Sequence, residues 1–120
     1  MREDKHMINF PQDFLWGTST SGPQTEGRFA GDGKGDNLWD YWYQVEPHRF
    51  RFQEGPGLTS TFYENWEEDI ELLVETGHTA FRTSIQWSRI FPKGRGEVNP
   101  VGVAFYRQVF ERIKSKGIHL

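Results

Sequence analysis

The chain has 120 residues, enough for one modest domain. Its net charge is -3 with no basic block, which argues against nucleic acid as a partner. It has no cysteine, so a disulfide framework and a cysteine-based metal site are both excluded.

Hydrophobic residues make up only 35%, yet aromatics reach 16% with five Trp and ten Phe, so the core or a sugar-facing surface is expected to be aromatic. The start, Met1-Arg-Glu-Asp-Lys-His6, is charged and no apolar stretch follows it, so no signal peptide is expected. No apolar run approaches the ~20 residues needed to cross a bilayer. The expectation is a soluble cytoplasmic protein with no membrane partner.

Residues 1–9 form a polar lead-in expected to fray. Pro11 and Asp13 mark the turn into a first strand, Phe14 to Thr20. Along Phe14–Gly27 an apolar trio runs into six residues that are all Gly, Ser or Thr, and then into Pro23, Gln24 and Glu26. Bulky residues suit a buried strand, and small ones leave room for a ligand at its end. Gln24, just past that end, offers both a donor and an acceptor. The stretch predicts a strand whose C-terminal end opens into a polar-substrate site.

From Gly27 to Leu58 neither helical nor strand period holds for long. So long a loop is usually functional or disordered, and its aromatic cluster (Trp39, Tyr41, Trp42, Tyr43) argues for order. A short helical turn is expected near Leu38–Gln44. Gly31-x-Gly33-x-Gly35 is no dinucleotide fingerprint, because it opens no helix and its spacing is wrong.

Thr61 and Glu64 have capping-box spacing, and Phe62, Trp66, Ile70, Leu73 and Val74 trace one helical face that Gly77 closes. Thr79 to Trp87 reads as a second strand, with polar residues Arg82, Ser84 and Gln86 on one parity. Such polar residues need a reason in a two-sided parallel sheet. Asn99-Pro100 starts a second long helix with Tyr106, Val109, Phe110 and Ile113 on its buried stripe, closed by Gly117. Ile118 to Leu120 reads as the start of a third strand, with His119 at its base or in the core. The histidines lack ligand spacing, and neither a metal nor a cofactor is expected. This α/β alternation implies a single parallel-sheet or (β/α)-barrel domain over 1–120, with ligands at the C-terminal strand ends.

Two motifs carry a family resemblance. Phe14-Leu-Trp-Gly-Thr-Ser-Thr-Ser-Gly-Pro-Gln-Thr-Glu-Gly27 is similar to the N-terminal signature of glycoside hydrolase family 1. Phe81-Arg-Thr-Ser-Ile-Gln-Trp-Ser-Arg-Ile-Phe-Pro92 is similar to its second-strand motif. Leu38-Trp-Asp40, Glu68-Asp-Ile70 and Gly96-Glu-Val-Asn99 fall in the expected order, so the resemblance covers residues 8–120. Pro23 and Arg28 depart from the commonest signature residues. Pro23-Gln24 and residues 59–63 lean toward the phospho-glycosidase branch.

The resemblance implies the first two βα units, plus the start of the third strand, of a (β/α)8 TIM barrel that typically needs ~250 residues. It implies a retaining β-glycosidase with paired glutamates, and a β-glycoside substrate that can be phosphorylated. The acid/base lies in an Asn-Glu-Pro motif and the nucleophile in a Glu-Asn-Gly motif, and neither triplet occurs in this sequence. What remains here is glycone binding by Gln24 and support of the nucleophile carboxylate by Arg82. Glu26 is expected to be a structural acceptor, and Trp16, Trp39 and Trp87 to pack more than to stack on sugar. The alternatives are a non-catalytic carbohydrate-binding or interaction module, an inactive fragment that self-associates through exposed strand edges, and a small doubly wound nucleotide-binding domain.

Overall fold

A parallel strand pair, built from two short stretches far apart in sequence, organises the chain. The computed structural model describes residues 8–120, so the expected frayed lead-in over 1–9 falls, apart from Ile8 and Asn9, outside the described residues. In order, the elements are β1 (Gly17–Ser19), α1 (Gly22–Thr25), α2 (Leu38–Val45), α3 (Phe62–Glu75), β2 (Ala80–Arg82), α4 (Trp87–Ile90) and α5 (Pro100–Ser115). Two 3-10 turns, Pro47–Arg49 and Arg51–Gln53, follow α2. β1 pairs with β2 in register Gly17 to Ala80, Thr18 to Phe81 and Ser19 to Arg82, and His119 bridges Ala80 on the other edge of β2. His119 therefore lies at the base of the strands, where its side chain is exposed.

Both expected strands are shorter than their sequence patterns. Phe14 and Trp16 leave the ladder to form an aromatic triangle with Phe10, all three centroid distances being 4.7 Å. Backbone continuity survives there, since the Thr79 and Ala80 N–H groups donate to the Trp16 carbonyl at 2.8 and 3.0 Å. The expected strand Thr79–Trp87 stops at Arg82, and Gln86, with extended backbone, becomes the N-cap of α4. A strand of that length would need a partner alongside residues 83–86, and β1 ends at Ser19.

The helices come close to expectation, with two corrections. α3 begins at Phe62, but Thr61 sits at φ +60° and its side chain caps nothing, so the expected capping box is absent. Its hydroxyl instead donates to the Ser60 carbonyl at 2.7 Å and accepts from Asn65 Nδ2 at 2.7 Å. A capping box does form on α2, where Asn37 Oδ1 accepts from the Trp39 and Asp40 amides while Asp40 accepts from the Asn37 amide. Asn99 caps α5 ahead of Pro100, as its sequence dictates. On the α3 face Ile70 is fully buried but Val74 is exposed.

The core lies where α3 and α5 cover one side of the strand pair. Ile70, Phe81, Phe105, Val109, Ile113 and Ile118 are its buried apolar members. Each such side chain contributes about 1.5–3 kcal/mol by leaving water.

Beside this core sits a buried polar cluster. Arg89 on α4 is 0% exposed; its Nε donates to Glu26 Oε2 at 2.7 Å, its Nη1 to Asp32 Oδ2 at 3.1 Å and its Nη2 to the Gly27 carbonyl at 3.1 Å. Gly102 lets α5 approach, because a Cβ there would collide with the Arg89 carbonyl. Burial alone would raise the Asp32 pKa, but the Phe29 and Lys34 backbone N–H groups and the Arg89 charge outweigh it and hold it below the ordinary aspartate range. Burial likewise opposes the Arg89 charge, and Glu26 and Asp32 more than restore it.

Removing Arg89 would strand two buried carboxylates, so Arg89→Leu is expected to lose about 3–5 kcal/mol of stability in urea unfolding. Asp32 binds protons less readily folded than unfolded, so its stabilisation is present above the ordinary aspartate pKa. That stabilisation is lost as pH falls through the lowered folded value. Thermal midpoints followed into acid should therefore drop less steeply for Asp32→Asn than for the unaltered chain.

Candidate functional site

The carboxyl ends of β1 and β2 lie side by side, and the segments beyond them stay tied. The Thr20 N–H donates to the Arg82 carbonyl at 2.8 Å, Thr20 Oγ1 to Thr83 Oγ1 at 3.1 Å, and the Gly22 N–H to Ser84 Oγ at 3.1 Å. Small residues are what make this possible. A Cβ on Gly22 would collide with the Gln86 side chain, so α1 packs directly against the segment that follows β2. α1 then carries Gln24 immediately past the end of β1.

Gln24 is exposed, and its Oε1 accepts from the Ser21 hydroxyl at 2.8 Å. Its amide nitrogen has no partner among the described residues, so a donor faces solvent at the strand end. Arg82 is the last residue of β2, exposed, and without an ion-pair partner among the described residues. It borders an open trough with Thr18, Ser19, Phe81 and His119. Gln24, on the α1 turn that follows β1, and Arg82, the last residue of β2, thus both lie toward the carboxyl end of the strand pair.

Glu26 is a structural acceptor. It is 2% exposed, with Oε1 accepting from the Tyr106 hydroxyl at 2.6 Å and Oε2 from Gln86 Nε2 at 3.0 Å and Arg89 Nε at 2.7 Å. Three donors from distant parts of the chain hold this carboxylate. Burial first, then the Glu26 charge and hydrogen bond, push the Tyr106 phenol far above its ordinary pKa, so it remains an O–H donor. Gln86, the polar residue that needed a reason in a strand, finds it here: its Oε1 also accepts from Asn37 Nδ2 at 2.7 Å.

Sequence patterns had not singled out Arg89, Asp32 or the Tyr106 hydroxyl. A cation in the turn Trp87-Ser-Arg-Ile90, flanked by apolar residues, was the available signal for Arg89. Asp32 carried none, since it lies in a loop.

The tryptophans divide by position. Trp16 precedes β1, at the opposite end of the strand from Gln24, and packs on Phe10 and Phe14. Trp39 packs on Trp42 at 5.5 Å. Trp87 keeps an exposed face while its Nε1 donates to the Gly94 carbonyl at 2.8 Å. It borders a cleft of about 370 Å³ together with Pro23, Asn37, Leu38 and Ser84, next to the Gln24 turn. Chemically the arrangement can bind hydroxyls and lend positive charge. Its buried carboxylate, Glu26, is 2% exposed and turned to its three protein donors rather than to the open surface.

The glycosyl hydrolase family 1 profile matches residues 6–120. The chain is 51% identical over 109 residues to the 6-phospho-beta-glucosidase GmuD of Bacillus subtilis, covering 91% of this chain and 23% of that protein. It is 43% identical to Beta-glucosidase 3 of Arabidopsis thaliana, over 92% of this chain and 21% of that protein. A beta-glucosidase from Thermotoga maritima, solved in complex with cyclophellitol, superposes with TM-score 0.84 at 37% identity, over 91% of this chain and 25% of that one. The chain thus spans about a quarter of the length of the relatives it matches, and it adopts part of their TIM-barrel fold. By sequence and by structure, the chain belongs to glycosyl hydrolase family 1.

Proposed function

We propose that this chain is the N-terminal segment of a retaining β-glycosidase that acts on β-glucosides or 6-phospho-β-glucosides. In this reading β1, α3, β2 and α5 are the first two βα units of the barrel, and Ile118–Leu120 begins the third strand. Gln24 binds glycone hydroxyls with its amide, and Arg82 holds the nucleophile carboxylate ionised by charge-assisted hydrogen bonds. The observation that supports the reading is that the α1 turn carrying Gln24 follows the carboxyl end of β1 while Arg82 ends the adjacent parallel strand β2, the end of the sheet where barrel enzymes build their sites. The phosphorylated substrate draws support from the 51% identical relative, a 6-phospho-beta-glucosidase.

Retention requires two carboxyl groups ~5–5.5 Å apart, one donating the proton and one attacking the sugar. The triplets that would hold them are absent from these 120 residues. The segment therefore binds and orients, while the remainder of the barrel supplies the bond-breaking groups.

The 120-residue chain on its own is expected to show no hydrolysis of aryl β-glucosides, phosphorylated or not. Turnover that co-purifies with this polypeptide alone would place a catalytic carboxylate within it. In the complete protein that carries this sequence, Gln24→Ala should lower kcat/KM by more than about tenfold, because contacts to sugar hydroxyls strengthen in the transition state. Kinetics close to those of the unaltered protein would remove Gln24 from the glycone site.

A further inference from the structure

We propose that Glu26 and Tyr106 are positioning residues, a buried clamp that sets where Gln24 points; this rests on the glycone-binding reading of Gln24. Gln24 itself is weakly held. Its backbone N–H donates to the Ser21 carbonyl at 3.0 Å and its side chain accepts from the Ser21 hydroxyl, both within its own turn. α1 is only four residues long, too short to hold its shape unaided. What fixes it lies at its two ends.

At the front, Gly22 is wedged against Gln86 and bonded to Ser84. At the back, the Glu26 N–H closes the turn onto the Gly22 carbonyl at 3.0 Å, and the Glu26 carboxylate is gripped by Gln86, Arg89 and Tyr106, which lie 60, 63 and 80 positions further along the chain. The Tyr106 oxygen does double duty: it donates to Glu26 Oε1 and accepts the Gln86 N–H at 2.8 Å. One phenol on α5 thereby links the turn that carries Gln24 to the segment that leaves β2.

A purely structural role would not need this chemistry. Well-packed apolar residues of similar volume often stabilise a core as well as buried ion pairs do, whereas a network of short directional hydrogen bonds tolerates little displacement. The clamp also sits at the carboxyl end of the strands, two residues from Gln24. A displacement on the order of 1 Å in a substrate-positioning group can cost about a hundredfold in rate.

The test is a double-mutant cycle in the complete protein, with Gln24→Ala and Tyr106→Phe, and Glu26→Gln as a second variant should Tyr106→Phe fold poorly. Tyr106→Phe alone is expected to lower kcat/KM about tenfold or more. In the Gln24→Ala background it should cost less than about twofold, because the residue it acts through is gone. Equal losses in both backgrounds would overturn the clamp while leaving Gln24 in the glycone site. A Gln24→Ala variant of near-normal activity would remove the glycone reading itself, and the clamp with it.

Amide exchange in the complete protein gives a readout independent of activity. Tyr106→Phe should speed exchange of the Gln24 and Glu26 amides about tenfold while leaving Ile70 on α3 unchanged. A uniform change, or none, would overturn the proposal.

Discussion

The guanidinium of Arg89 is the group around which the described residues are assembled. A buried cation is costly unless it is paired and hydrogen-bonded, and the acceptors for Arg89 come from distant places. Glu26 arrives from the end of α1, Asp32 from the long loop, and the Gly27 carbonyl from between them. Tyr63 on α3 covers the guanidinium face at 4.2 Å, a cation–π contact in a desolvated setting. Once Arg89 is inside, α1, the loop, α3, α4 and α5 have little freedom left.

This constraint accounts for an otherwise puzzling loop. Residues 26–61 contain one α-helix of eight residues and two 3-10 turns of three, yet the rest of the segment is also held in place. Asp32 receives the Phe29 and Lys34 amides at 3.0 and 2.8 Å while it binds Arg89, so the loop is wrapped around its own anion. Lys34 in turn pairs with Asp40, the N3 residue of the α2 capping box. The Gly35 N–H donates to the Ser88 carbonyl at 2.9 Å, so the loop is also stitched to α4. Further on, Phe52 and Gln53 both sit at positive φ, which costs roughly 1–3 kcal/mol each for residues with side chains. The Tyr43 hydroxyl bond to the Gln53 carbonyl at 2.8 Å and the edge packing of Tyr43 and Trp42 on Phe50 help offset it.

The capping box shows how a local pattern can mislead. Thr61-x-x-Glu64 has the right spacing, but Thr61 is held in a left-handed conformation, and the Glu26 carbonyl accepts the Tyr63 N–H at 3.3 Å. Tertiary contact with the α1 turn thus takes the N2 amide, while the Glu64 N–H, which the box would have served, donates to the Thr61 carbonyl at 3.0 Å. Asn37-x-x-Asp40 has equivalent chemistry and does form the box, because the Asn37 side chain is also fixed by Gln86. Strand lengths failed for a related reason. A β pattern in sequence states what could pair, and a ladder exists only where a neighbour is present.

The sequence by itself determined the helices α2, α3 and α5, the α/β alternation and the family, and it put forward Gln24 and Arg82 as site candidates. Periodicity, glycine stops and the two long motifs are local signals and survive without neighbours. It also pointed to Glu26 as an acceptor. Only the tertiary structure decided which donors Glu26 serves, that Arg89, Asp32 and Tyr106 meet there, and that the strands end where they do. Those outcomes depend on pairings between groups 57 to 80 positions apart. A buried charge leaves no periodic trace in sequence, because what selects it is its partners.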